Sequence, residues 1–287
     1  MAFGLMRTPA VVFIALGSLV PIAIPTAYLL YLNHQVSNNT TSQSGRYRSH
    51  KAASNSPSSL DAAPLEPSSI PGDIASDTDE WVITFERLVS RPIPVSTLIS
   101  PIADRLAATL SNVNAAENEP SNLLKAYVRA AQEAFGWTPQ AFIMRQLIGD
   151  PGLKRTFDTD WVHDLLFKHG DIVNGVYRVD YVGDGGMAGC ERIELGLAAP
   201  PSYRGHSETG LILSAIEPCG PNGAESSWNS SNENMVVFVN ETWLWRCKNG
   251  KPTLLESGPG SWLHSVMAGW LVMKGIKAVT AVHSKEQ

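Results

Sequence analysis

The chain is poor in positive charge and in cysteine. Its 22 lysines and arginines are outnumbered by 27 aspartates and glutamates, which gives a formal net charge of −5. No basic field is therefore available for nucleic-acid phosphates, and nucleic acid is not an expected partner. The three cysteines, Cys190, Cys219 and Cys247, fit neither a zinc nor a redox spacing. In an oxidising compartment, two of them are expected to form a disulfide. The alternative is that all three are buried free thiols.

Familiar catalytic signatures are also absent. The sequence has no Walker loop, no G-x-S-x-G elbow and no H-E-x-x-H zinc motif. Gly183–Gly186 shares only its glycine content with phosphate-binding loops, so a hairpin turn is expected there. The seven histidines show no metal-ligand spacing. We therefore expect neither a metal nor a cofactor.

The longest apolar run extends from Ala10 to Leu32 without a charged residue. As a helix it would be roughly 34 Å long, enough to cross a bilayer core of about 30 Å. It exceeds the apolar region of a cleaved signal peptide, so an uncleaved anchor is the favoured interpretation. The sequence thus predicts a single-pass membrane protein.

The orientation of this anchor has evidence on both sides. The basic residues that follow it favour a cytosolic C-terminal domain. Four N-x-[ST] sequons favour a lumenal or extracellular one, and predict an endomembrane glycoprotein modified at Asn38, Asn39, Asn229 and Asn240.

Composition divides the remaining chain into segments. Residues 1–9 form a short tail before the anchor at residues 10–32. Residues 33–79 are rich in Ser, Asn, Pro and Ala, which predicts a disordered stalk. Residues 80–282 hold the apolar periodicity and predict one globular domain.

Within this domain the apolar period changes. Helical spacing covers Ser100–Leu110, Leu123–Phe135, Pro139–Ile148 and Asp160–Phe167, after a strand at Trp81–Leu88. The second half alternates with period two, and predicts strands at Val173–Val182, Glu191–Leu197, Leu211–Ile216 and Met235–Arg246. A long helix, Ser261–Val282, closes the chain. The predicted fold class is therefore α+β, with an antiparallel curved sheet packed on the C-terminal helix.

This order of elements from Gly170 to Val282 resembles the helix-grip architecture of START and polyketide-cyclase-like proteins. The resemblance implies a cavity between the sheet and the closing helix. The alternative is the cone-shaped α+β fold of nuclear-transport-factor-2-like proteins, in which the sheet usually closes the chain.

Four local runs resemble a family of membrane-anchored fungal proteins without assigned activity, some encoded beside secondary-metabolite genes. These runs are Trp81–Arg87, Asn174–Val179, Pro200–Gly205 and Val239–Trp245. The resemblance supplies no catalytic residues.

Strand alternation gives the best catalytic candidate. In Met235–Arg246 it places Glu241 on one face with Val239, Trp243 and Trp245. If Asn240 on the other face is glycosylated, that face meets water and Glu241 points inward. A carboxyl group among such side chains loses solvation, which raises its pKa toward the range of a general acid or base. The alternatives are an ion pair with Arg178, Arg192 or Lys248, or exposure to solvent.

Further polar residues are expected to converge on the same cavity. Tyr177 and Tyr181 share a face of their predicted strand and are candidates to orient a carbonyl or hydroxyl group, with sheet packing as the alternative. His264 lies on the closing helix as a further catalytic candidate, or as an ordinary helix residue. The predicted apolar lining of the pocket is Trp243, Trp245, Val239, Ile193, Leu195 and Trp262.

The sequence thus predicts an accessory biosynthetic protein that binds an apolar, polyketide- or terpenoid-like small molecule at a membrane. It would assist cyclisation, isomerisation or dehydration without a cofactor. The alternatives are a non-catalytic membrane-tethered carrier and a scaffold, and a scaffold should expose an apolar patch.

Overall fold

The computed structural model describes residues 25–47, 64–77, 79–99, 119–187, 189–200, 208–219 and 235–280. Two short 3₁₀ turns, Val95–Thr97 and Leu254–Glu256, accompany the main elements. In chain order these are α1 (residues 25–39), β1 (Thr40–Tyr47), α2 (Gly72–Ser76), β2 (Trp81–Ser90), β3 (Ile93–Pro94), α3 (Asn122–Gly136), α4 (Pro139–Leu147), α5 (Pro151–Arg155), α6 (Thr159–Asp164), β4 (Ile172–Val173), β5 (Tyr177–Gly183), β6 (Glu191–Leu197), β7 (Thr209–Cys219), β8 (Met235–Cys247) and α7 (Gly258–Val279).

The strands form one antiparallel, eight-stranded sheet in the order β1-β2-β8-β7-β6-β5-β4, with β3 paired to β8. The predicted α+β class, with an antiparallel sheet packed on the C-terminal helix, is confirmed. Because β8 lies between β2 and β7, it is central and has almost no exposed residue. The predicted helix at Ser100–Leu110 lies outside the described residues.

Local sequence explains where the main helices begin. Ser121 accepts a hydrogen bond from the Leu124 amide at 3.1 Å and caps α3. Thr138 caps α4 in the same way, immediately before Pro139 at the first helical position. Ser257 caps α7, which also has a proline in its first turn. Each cap satisfies an amide that the helix itself leaves without a partner.

One side of the sheet, here called the helix face, packs against α3 and α7. Its core is apolar and includes Leu195 on β6, Phe238 on β8 and Tyr127 on α3. The rings of Tyr127 and Phe238 lie 4.9 Å apart between centroids. A methyl group at Gly275 would lie 3.0 Å from the carbonyl oxygen of Tyr127 and closer still to the Tyr127 ring. The absence of a side chain at this glycine therefore lets α7 pack closely against α3.

The opposite side, here called the flap face, is covered by residues 64–77, which we name the flap. Ile70, Ile74 and Ala75 of the flap belong to the same apolar cluster as Phe85 and Trp243. Trp243 is held between the rings of Tyr47 and Phe85, each with a centroid separation of 5.3 Å. The sheet therefore has a core on both faces.

The predicted single-pass membrane protein is contradicted. No helix in the described part of the chain has the length and hydropathy needed to cross a membrane. Residues 10–24 of the predicted anchor lie outside the described residues. The end of the apolar run belongs to α1, where Leu32 is buried and Val36 packs against Gly269 of α7. Tyr28, Leu30 and Tyr31 of the same run are more than half exposed.

The prediction of a glycoprotein is also contradicted, since nothing in the structure supports it. Asn240 is 7% exposed on the helix face, which leaves no room for a glycan. The amide nitrogens of Asn38 and Asn39 are engaged within α1, with His34 at 3.0 Å and the Gln35 carbonyl at 2.7 Å. Asn229 lies outside the described residues.

The stalk predicted for residues 33–79 differs from the structure wherever the structure describes it. Residues 33–39 continue α1, Thr40–Tyr47 forms the edge strand β1, and the flap covers the sheet. The polar composition of β1 misled the prediction, because an edge strand gains its stability from pairing with β2 and needs few apolar side chains.

All three cysteines are free, with Cys190 buried and the other two exposed.

Candidate functional site

The flap face carries a row of side chains that crosses five strands at the level of Glu241. Glu241 on β8 is paired with Arg87 on β2 and with Leu213 on β7. Gln43 on β1 and Glu194 on β6 extend the row at its two ends. Glu241 is 1% exposed and lies on the same face as Val239 and Trp243, which is the orientation that alternation predicted.

Glu241 is held at both of its oxygens. Arg87 Nη1 donates to Oε1, and the indole N–H of Trp243 donates to Oε2 at 2.7 Å. Burial raises the pKa of Glu241, and although Arg87 and the Trp243 hydrogen bond act in the opposite direction, the pKa stays above its ordinary value. The protein therefore holds a carboxyl group that binds a proton more readily than a solvated glutamate does.

Arg87 links this buried carboxyl group to a second one near the surface. Its Nη2 lies 2.6 Å from Glu217 Oε2, and the Glu217 side chain is 15% exposed. Burial alone would lower the pKa of Arg87, but Glu241 and Glu217 raise it above its ordinary value. The guanidinium thus stays charged and joins an inner and an outer carboxyl group.

A cavity of about 230 Å³ opens above this arrangement, between the sheet and the flap. It lies on the flap face, whereas the sequence predicted a chamber between the sheet and α7. Charged and apolar side chains share its wall. The lining residues are Gln43, Pro64, Leu65, Arg87, Asp184, Met187, Cys190, Arg192, Leu213, Ala215, Glu217 and Glu241.

The flap is fastened by a buried carboxylate. Glu194 is fully buried and accepts hydrogen bonds from the backbone amides of Ser68 and Ser69, at 2.9 Å and 2.7 Å. Arg192 Nε lies 2.9 Å from Glu194 Oε1, an ion pair without hydrogen-bond alignment. Arg192 Nη2 also donates to Ser68 Oγ at 2.8 Å. Because charge-assisted bonds are stronger than neutral ones, this cluster fixes the roof of the cavity.

The two candidate tyrosines lie on opposite faces, which corrects the prediction that they share one. A register shift between Val179 and Tyr181 inserts a bulge into β5, so the alternation changes phase. Tyr177 is buried on the helix face, 5.7 Å from the ring of Phe135, and burial raises the pKa of its hydroxyl. Tyr181 lies on the flap face beside Arg192, 5.4 Å from the guanidinium carbon to the ring centre.

The predicted pocket residues do not line the cavity. Trp243, Trp245 and Val239 belong to the packed cluster beneath the flap. Ile193 and Leu195 are fully buried in the core of the helix face, and Trp262 is 42% exposed on α7. Among the predicted site residues that the structure describes, only Glu241 contributes to the cavity wall.

The fourth catalytic candidate, His264, lies on the other side of the sheet from Glu241. It contacts Glu86 and Thr242, which both project to the helix face. The predicted catalytic residues therefore do not form one site.

Sequence reasoning missed the groups that surround Glu241. Arg87 follows Phe85 in an alternating strand, so its place on the inward face was readable. Its partner was not, because the pairing of β2 with β8 joins segments more than 150 residues apart.

Two other chemistries have little support at this site. Burial raises the pKa of the Cys190 thiol to about 12, so it is a poor nucleophile near neutral pH. No group of three or more His, Cys, Asp or Glu side chains is arranged to hold a metal ion in the part of the chain that the structure describes.

Comparisons with protein-family models, with curated proteins and with solved structures gave no significant match.

Proposed function

We propose that this protein binds a small molecule in the cavity beneath the flap and that Glu241 transfers a proton to or from it. The reaction is an isomerisation, dehydration or cyclisation that needs no redox step. The observation that carries this proposal is a buried carboxyl group with a raised pKa in the wall of a cavity.

The size and lining of the cavity limit the ligand. Its volume of about 230 Å³ is below the range of roughly 300–1,000 Å³ that is usual for drug-sized ligands. Leu65, Met187 and Leu213 offer apolar contacts, while Arg87 and Glu241 offer polar ones. The ligand is therefore a small, mainly apolar compound with a carbonyl or hydroxyl group, such as a short polyketide- or terpenoid-like intermediate.

The arrangement of Glu241 suits both directions of proton transfer. Arg87 and Trp243 hold its two oxygens in place, so the carboxyl group needs no reorientation before it reacts. When ionised, it removes a proton next to a carbonyl group or from a hydroxyl group. When protonated, it returns the proton to another atom of the same ligand.

The order of elements supports the resemblance to helix-grip proteins. The strand before the helices, β2, pairs with the last strand, β8, and α7 follows to close the chain. The resemblance implies a cavity between the sheet and α7, however, so small-molecule binding on the flap face is proposed from the cavity itself.

A second candidate function is a carrier that binds the same ligand without changing it. The ion pair between Arg87 and Glu241 favours this candidate, because it compensates the charge of the carboxyl group. A carrier would bind its ligand equally well after Glu241→Gln, whereas an enzyme would keep binding and lose turnover.

The test uses small ketones and unsaturated ketones in heavy water, with deuterium uptake at the carbon beside the carbonyl group followed by NMR. The proposal expects uptake catalysed by the wild-type protein and an at least roughly 100-fold slower rate for Glu241→Gln, the usual contribution of a general acid or base. Glu80→Gln, which changes an exposed glutamate outside the cavity, is the matched control. Equal rates for wild type and Glu241→Gln, in proteins that fold alike, would contradict the proposal.

A further inference from the structure

A second cluster of polar side chains lies on the helix face, beneath the first half of α7. It joins Glu86 of β2, Thr242 of β8, and His264 and Ser265 of α7. Glu86 and Thr242 are buried, and the His264 side chain is 19% exposed, so solvent reaches the cluster through the imidazole.

The side chains of this cluster follow the order carboxylate, imidazole, hydroxyl. Glu86 Oε2 is hydrogen-bonded to His264 Nδ1, and Ser265 Oγ donates to Oε1 of the same carboxylate. On the other side of the ring, His264 Nε2 lies 3.3 Å from Thr242 Oγ1. A base oriented by a carboxylate and directed at a hydroxyl is the arrangement that activates oxygen nucleophiles, and such bonds are often this long before a substrate binds.

A nearly buried amide lies next to the hydroxyl. Asn240 lies two residues before Thr242 on the same face of β8 and is 7% exposed. Its cross-strand partner on β7 is Ser214. A side-chain amide N–H in this position is the type of donor that stabilises the oxyanion in acyl-transfer sites.

We propose that Thr242, His264 and Glu86 form a second site, which transfers acyl groups, with Asn240 as the donor to the developing oxyanion. Thr242 Oγ1 bonds to the carbonyl carbon of an ester or thioester while His264 Nε2 takes the hydroxyl proton. The bond from that carbon to the leaving group breaks, and His264 gives the proton to the departing alcohol or thiol.

Water then completes the reaction. It attacks the acyl group on Thr242, and His264 takes a proton from the water. The bond between the acyl carbon and Oγ1 breaks, the free acid leaves, and the proton returns to Oγ1. This cycle requires a neutral His264 with its hydrogen on Nδ1, which the Glu86 carboxylate favours.

The surroundings indicate an apolar acyl group. Leu88 is the cross-strand neighbour of Asn240, and Ile212 is that of Thr242, and both project to the helix face. This site is separate from the cavity on the flap face, so its test is independent of the proposed role of Glu241.

The test is labelling of the full chain with a fluorophosphonate bearing a short alkyl chain, followed by mass spectrometry of the modified peptide. We expect the label on Thr242, its complete loss in Thr242→Val, and an at least roughly 100-fold lower labelling rate in His264→Gln. Thr41→Val, at an exposed threonine of β1, is the matched control and should label like wild type.

Circular dichroism establishes that each variant is folded. If His264→Gln does not fold, Asn240→Ala serves instead, and an about tenfold or greater loss of labelling rate is expected from the missing oxyanion donor. Absence of label in folded wild-type protein, label on another residue, or undiminished labelling after the base is removed would overturn the proposal, because a purely structural cluster does not react with the probe.

Discussion

The two faces of the sheet are built differently although they share every strand. The core of the helix face is continuous and apolar where it meets α3, with Tyr127 against Phe238. The flap face combines an apolar cluster around Trp243 with ion pairs at Glu241 and Glu194, and it encloses a cavity. Side-chain packing dominates the first face where it meets α3, whereas the ion pairs of the second carry a desolvation cost.

The largest effect is expected from Phe238→Ala on the helix face. This ring is fully buried, and truncation should lower the free energy of unfolding by about 4 kcal/mol through lost burial and the resulting void. Urea denaturation measures the change. Leu213→Ala is the counterpart on the flap face, and we expect about 2–3 kcal/mol because its side chain already borders a cavity. Equal losses would remove the distinction between the faces.

Glu194→Gln tests whether buried charge holds the flap. The substitution leaves Arg192 without its anionic partner and weakens the bonds from Ser68 and Ser69, so about 3 kcal/mol of stability should be lost. Amide hydrogen exchange should accelerate mainly in the flap, residues 64–77. If the rate of amide hydrogen exchange rose equally on the helix face, the flap would not be a unit that opens independently.

Gly275→Ala tests how closely α7 approaches α3. Alanine favours helices over glycine, yet the added methyl group would meet the ring and carbonyl oxygen of Tyr127, so we expect a loss of about 2 kcal/mol. Gly72→Ala in α2 is the matched control, because nothing lies within 4 Å of a methyl group there. A neutral Gly275→Ala would mean that the helix face is loosely packed.

The smallest effect concerns the entry to α7. Hydrogen bonds from Arg246, at 2.6 Å and 2.8 Å, lower the pKa of Glu256 to about 2, with support from the Thr253 amide. A lowered pKa stabilises the fold above the ordinary pKa of about 4.5, and this contribution disappears as the pH falls toward 2. Glu256→Gln should therefore cost about 1 kcal/mol at pH 7, allowing for solvent screening.

The same difference should vanish near pH 2, which urea denaturation across this pH range would measure. A cost that persists at pH 2 would assign the effect of Glu256→Gln to packing.

The fold class could be predicted because apolar periodicity depends only on residues that are close together in the sequence. Alternation located β6 and β8 to within a residue, and helical spacing located α3. The edge strand β1 and the flap could not be predicted, because their polar residues gain stability from pairing and covering the sheet. The end of the apolar run belongs to α1, where Leu32 is buried in the domain but Tyr28, Leu30 and Tyr31 are more than half exposed.

The candidate site was only partly predictable. Alternation placed Glu241 on one face with Val239 and Trp243, but the inward direction of that face was inferred from a glycan at Asn240, which the structure contradicts. The partner Arg87 depends on strand order. The bulge in β5 was invisible to a period-two argument and separated Tyr181 from Tyr177. The partners of His264 come from β2 and β8, so only the sheet brings them together.

The most direct test of the flap-face account is the titration of Glu241 itself in the wild-type protein. Carbon-13 NMR of glutamate carboxyl groups, assigned with Glu241→Gln, measures its midpoint. The account predicts protonation at a pH above the ordinary glutamate value of 4.5. A midpoint at or below that value would mean that Arg87 outweighs burial, and Glu241 would then be a structural ion pair without the proton affinity that the proposed reaction needs.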